Sequence, residues 1–149
     1  MSKRIVVPSL IGAVVIGGLA IGGVASATAS SEPTIENGSA RYAAPTADTD
    51  GSLTYTAKVT DDSGIRNLKV LAWPKSSDLK PTAKEMATAE RATCKKSTTE
   101  TSECTYTLKV TPKEAADLPK GTWHISALAT AKDGDTAFAP DAATFTVTR

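Results

Sequence analysis

Residues 53–65 read LTYTAKVTDDSGI, and the order of polar and apolar side chains there decides the fold class. Leu53, Tyr55, Ala57 and Val59 alternate with Thr54, Thr56, Lys58 and Thr60. A period of two buries one face of a β-strand and wets the other. Asp61-Asp62-Ser63-Gly64 then makes a turn, with short oxygen-bearing side chains followed by a glycine free to take positive φ. Ile65 to Trp73 follows with Leu68, Val70 and Ala72 on one face, so the two runs read as an antiparallel pair.

The same alternation recurs on both sides of this pair. Cys104, Tyr106, Leu108 and Val110 oppose Thr105, Thr107, Lys109 and Thr111. Trp123, Ile125, Ala127, Ala129 and Ala131 oppose Thr122, His124, Ser126, Leu128 and Thr130. Lys132-Asp133-Gly134-Asp135 turns the chain, and a last strand places Phe145 and Val147 inside. A weaker strand is expected from Ser39 to Ala44. Helix is confined to connections. Thr82-Ala83-Lys84-Glu85 and Thr111-Pro112-Lys113-Glu114 both fit capping boxes, in which hydroxyl and carboxylate each satisfy an orphan amide. A short surface helix is therefore expected between Pro74 and Ala92, with Ala83, Met86 and Ala87 as its thin apolar stripe. Strands on short turns, with helix only between them, predict an all-β fold: an antiparallel β-sandwich of about seven strands with one or two short connecting helices.

The first 29 residues follow a different logic. Lys3 and Arg4 precede the uncharged apolar run from Ile5 to Val24, which Ala25-Ser26-Ala27 and Ala27-Thr28-Ala29 follow with two small-x-small cleavage sites. That order is expected of a signal peptide over 1–29, cut after Ala27 or Ala29, and of a secreted, extracellular product. The alternative is an uncleaved anchor, since the run is about long enough to span a bilayer. Glycines at 12, 17, 18, 22 and 23 weigh against it. Residues 30–34 read as a disordered tail and 35–149 as the folded domain. The chain carries 17 Lys+Arg against 16 Asp+Glu, and losing Lys3 and Arg4 leaves 15 against 16, a net −1. So neutral a domain has no electrostatic footprint for nucleic acid or acidic membrane. A monomer is expected, independently of this charge balance.

Cys94 and Cys104 are the only cysteines, and in an oxidising compartment they are expected to form a disulfide. Closing so short a loop stabilises by about 2.5–3 kcal/mol on the chain-entropy model. Two cysteines and one distant histidine do not supply four zinc ligands.

Two stretches carry a resemblance. Leu118-Pro119-Lys120-Gly121-Thr122-Trp123-His124-Ile125 with Lys132-Asp133-Gly134-Asp135-Thr136 resembles the final strands of bacterial immunoglobulin-like domains. Val59-Thr60-Asp61-Asp62-Ser63-Gly64-Ile65 resembles their second strand, turn and third strand. The resemblance implies an immunoglobulin-like sandwich and transfers no active-site chemistry. Cys94 and Cys104 depart from the antibody pattern, being too close in sequence to bridge the second and sixth strands. The layout also resembles small secreted actinomycete proteins of a family without assigned function.

Candidate sites are few. His124, the only histidine, is expected to point outward beside Ser126 and away from Trp123. No Gly-x-Ser-x-Gly, Walker loop or dinucleotide fingerprint is present. No catalytic residue, cofactor or metal ligand is therefore assigned, and the chain is not expected to be an enzyme. In an immunoglobulin-like topology the Asp61-Asp62 turn and the Asp133-Asp135 turn fall at one end, where several carboxylates could hold Ca²⁺. The competing reading is that Asp and Gly simply make turns. Asp48-Thr49-Asp50-Gly51 belongs at the opposite end. Trp123 is expected in the core, while Trp73, ahead of Pro74, is a candidate exposed aromatic. Asn37-Gly38-Ser39 matches a glycosylation sequon. The leading expectation is a secreted, non-catalytic binding or structural module acting on an extracellular protein or cell-surface component. The alternative is an inhibitor or effector of an extracellular enzyme that presents the Cys94–Cys104 loop as a rigid contact.

Overall fold

A computed structural model describes residues 31–148. The expected signal peptide, with its expected cleavage after Ala27 or Ala29, lies outside the described residues. Eight strands form two four-stranded sheets packed face to face: β1 (Thr34–Ala43), β2 (Gly51–Thr60), β3 (Ile65–Pro74), β4 (Glu90–Arg91), β5 (Thr93–Lys96), β6 (Thr101–Val110), β7 (Gly121–Ala131) and β8 (Thr136–Val147). One sheet runs β1-β2-β6-β5 and the other β4-β3-β7-β8, with every pairing antiparallel. The fold is thus the all-β sandwich expected. β1 begins at Thr34, inside the stretch read as a tail, and Pro33 ahead of it is buried.

The alternation in residues 53–59 is the core. Leu53, Tyr55, Ala57 and Val59 are buried and face Leu68, Val70, Ile125, Ala127 and Ala129 of the other sheet. Each large apolar side chain so buried contributes about 1.5–3 kcal/mol. Trp123 is in this core, as its strand pattern predicts, and its indole N–H donates to the Pro119 carbonyl at 2.8 Å.

Two expectations need correction. Ser126 points outward by alternation, yet it is fully buried. The cause is in β8: Ile125 pairs with Ala143 but Ala127 with Ala139, so Pro140, Asp141 and Ala142 bow out opposite Ser126 and cover it. β1 comes close to this bulge. A Cβ on Gly38 would meet the Ala142 carbonyl oxygen at 2.4 Å, which only glycine avoids. The Pro74–Ala92 stretch holds no α-helix, only 3-10 turns at Lys75–Ser77 and Glu85–Thr88. Thr82 and Glu85 do bond reciprocally, but of the expected stripe Met86 alone is buried. One buried residue cannot hold a helix down, because helical stability in proteins comes chiefly from packing an apolar face. The second box caps a real helix, α1 (Pro112–Asp117), with Thr111 and Glu114 bonded both ways.

The two ends of the sandwich differ in construction. At one end the turns are short: 61–64, 97–100 and 132–135. The other end carries the long connections, 75–89 between β3 and β4 and 111–120 between β6 and β7. Among the described residues no helix is long and apolar enough to cross a membrane.

Candidate functional site

At the end with the long connections the sheets do not close on each other. Leu53, Leu108 and Val110 of one sheet and Ala72, Trp123 and Phe145 of the other border a cavity of about 450 Å³. Leu79 and Pro81 of the 75–89 connection cover it. That connection is tied to the β3 sheet by the Lys69 ammonium, which donates to the Ala87 carbonyl, and just after β4 the Ala92 amide donates to the Leu68 carbonyl at 2.8 Å. Tyr106 donates its hydroxyl to Glu90 at 2.6 Å across the gap between the sheets. Burial, helped by the Glu90 carboxylate, pushes the Tyr106 phenol well above its ordinary value and keeps it neutral. The charged side chains bordering the cavity are Glu85 and Glu90, both exposed and both acidic. The arrangement suits an apolar body with a polar end that tolerates carboxylates.

At the opposite end the turns are laced together. Asp61 is 3% exposed; its Oδ1 accepts from the Ser63 amide at 2.8 Å and the Ser63 hydroxyl at 2.6 Å. The Ser63 Oγ in turn accepts from the Asp133 amide at 3.2 Å. The Asp61 amide donates to the Glu100 carbonyl and the Lys132 amide to the Gly64 carbonyl, each at 2.9 Å. Gly64 takes φ +89°, the left-handed conformation expected of it. Burial pushes the Asp61 carboxyl up, but the Ser63 hydrogen bonds, with a further contribution from the neighbouring Asp62 side chain, overcome this and hold it below the ordinary value. One carboxylate oxygen each of Asp61, Asp62 and Asp133 lies within 4.8 Å of the others. The shared end foreseen for these turns is real, but Asp135 is not in the group. Its amide caps Asp133 Oδ1 at 3.1 Å instead. Asp50 stands at the other end, paired with Lys109.

The outer face of the β3–β7–β8 sheet holds a serine, a histidine and an aspartate side by side. His124 Nδ1 lies 2.9 Å from Asp141 Oδ1, and its ring stacks on Trp73 with centroids 4.5 Å apart. Trp73 is thereby covered on one face and donates its indole N–H to Ser126 Oγ at 2.9 Å. Ser126 donates its own proton to the Pro140 carbonyl at 2.7 Å. A nucleophilic serine must give that proton to the histidine, so these groups brace the β8 bulge. Asp141 escaped sequence reasoning because only the bulge brings it beside His124.

Cys94 and Cys104 are joined, with Cα atoms 4.0 Å apart at directly opposed positions of β5 and β6. The bond lies within one sheet and clips the short edge strand β5 to its neighbour.

The chain belongs to a family of unknown function (DUF5707), whose model matches residues 35–129. No curated protein and no solved structure matches it.

Proposed function

We propose that this member of the family is an exported, non-catalytic binding module of immunoglobulin-like topology that takes up a small apolar molecule with a neutral or cationic polar end. The cavity between the sheets carries the reading. Its volume of about 450 Å³ falls within the roughly 300–1,000 Å³ of small-molecule sites. Its walls are apolar and its charged border is acidic, which disfavours fatty-acid carboxylates by like-charge repulsion.

The topology supports the immunoglobulin-like part. Taken in chain order as A, B, C, C′, D, E, F and G, the strands follow the constant-type arrangement, A-B-E-D against C-F-G, with β4 as an added C′ edge. The disulfide supports export, since such bonds persist in oxidising compartments. The alternative of an inhibitory disulfide loop draws less support. The tip of that hairpin packs on the sandwich's own turn, with the Thr99 carbonyl against Gly64 and the Glu100 carbonyl on the Asp61 amide.

Titration with the neutral fluorophore N-phenyl-1-naphthylamine tests the proposal. Saturable one-to-one binding is expected, displaced by dodecylamine more readily than by dodecanoate. Ala72→Phe, which fills the cavity, should weaken binding at least tenfold without lowering Tm. Absence of saturable binding by the unaltered protein, or unchanged affinity in Ala72→Phe, would overturn it.

A further inference from the structure

We infer that Asp61, Asp62 and Asp133 form a binding site for one calcium ion, which joins the β2–β3 turn to the β7–β8 turn. Carboxylate oxygens from the three residues converge within 4.8 Å, although the chain brings Asp133 from a turn remote in sequence. Like charges so close repel, and a cation bound between them relieves that repulsion.

A second observation points the same way. Asp61 is 3% exposed, and both hydrogen bonds from Ser63 fall on its Oδ1. Its Oδ2 is buried with no hydrogen-bond partner among the described residues. An unpaired buried carboxylate oxygen is costly, and a cation is a partner that satisfies it. Among the described residues no ion pair brings a cationic side chain to it. The ion pairs among the described residues are Lys58–Glu36, Lys109–Asp50 and His124–Asp141, all elsewhere. Arg66 spends its guanidinium on the Lys132 carbonyl at 2.8 Å, and the Lys132 stem lies along Gly64.

The chemistry selects the metal. All the side-chain ligands are hard carboxylate oxygens, which exclude soft-metal preference. Asp62 and Asp133 are exposed, so water completes the shell of six to eight oxygens that Ca²⁺ accepts in irregular geometry. Mg²⁺ requires a near-ideal octahedron and is the poorer fit. A partly open site of this kind belongs with extracellular modules, whose Kd values are on the order of 10⁻⁴–10⁻³ M.

Calorimetric titration of the metal-free protein with CaCl₂ tests the site, together with thermal melts in 10 mM CaCl₂ and in EGTA. One ion per chain is expected, with a Tm several degrees higher in calcium and a smaller rise in equimolar MgCl₂. Asp133→Asn and Asp62→Asn, both on exposed positions, should each weaken binding at least tenfold and abolish the Tm rise while the metal-free Tm stays near that of the parent. No binding heat and no Tm rise in the unaltered protein would overturn the inference. So would an undiminished calcium response in both variants.

Discussion

The two ends of this sandwich are made from the same strands yet solve different problems. At the acidic end, three short turns exchange backbone hydrogen bonds, and the inner faces carry small or compact residues such as Ala57, Ala127 and Ala129. The sheets close there. At the other end Leu53, Trp123 and Phe145 stand on the inner faces, long connections replace short turns, and a cavity remains between the layers. Closure thus follows turn length and side-chain size together. The proposed apolar ligand therefore belongs at the end with the long connections, away from the laced turns.

The largest expected effect contrasts core positions in the two halves. Leu68 is fully buried, and Leu68→Ala should cost about 2–5 kcal/mol in urea unfolding. Leu108 borders the cavity and is half-buried, so Leu108→Ala should cost only about 1 kcal/mol. Equal losses would break the comparison. Next comes the edge clip. Replacing both Cys94 and Cys104 by serine should lower stability by about 2.5–3 kcal/mol while leaving naphthylamine affinity within twofold. Lost affinity would tie the disulfide to the binding site.

Alkaline pH probes the layer between the ends. Burial pushes the Tyr55 phenol up to about 12 from the ordinary 10.0. The folded state therefore keeps its proton longer than the unfolded chain does. The contribution is complete below pH 10.0 and is lost as pH rises through that value towards about 12. Denaturant midpoints should fall across that window in Tyr55-containing protein and fall less in Tyr55→Phe. The smallest expected effect is local to the open end: Thr111→Ala removes the N-cap of α1 and should cost about 1 kcal/mol with no change at the acidic turns.

Much of the closed half was legible in the sequence, because alternation and turn chemistry act over a few residues. Ala57, Val59 and the positive φ of Gly64 follow from neighbours along the chain, whereas the β5 strand that sets Cys94 opposite Cys104 has no such signal. The misreadings arise where non-local packing decides. Ser126 is buried by a bulge fifteen residues downstream in β8, and no periodicity in β7 announces it. Thr82 and Glu85 make their capping bonds, but too little apolar surface follows to extend them into a helix. Asp135 shares a turn with Asp133, yet its amide rather than its carboxylate faces the cluster. The cavity has no signature in sequence at all, since it depends on the distance between two sheets.

The claim that binding resides at the open end is tested most directly by a ¹H–¹⁵N correlation spectrum recorded through a titration with N-phenyl-1-naphthylamine. Shifts are expected at Leu53, Ala72, Leu108 and the Trp123 indole, with Asp61 to Gly64 and Lys132 to Asp135 unmoved. No shifts, or shifts centred on the acidic turns, would contradict it.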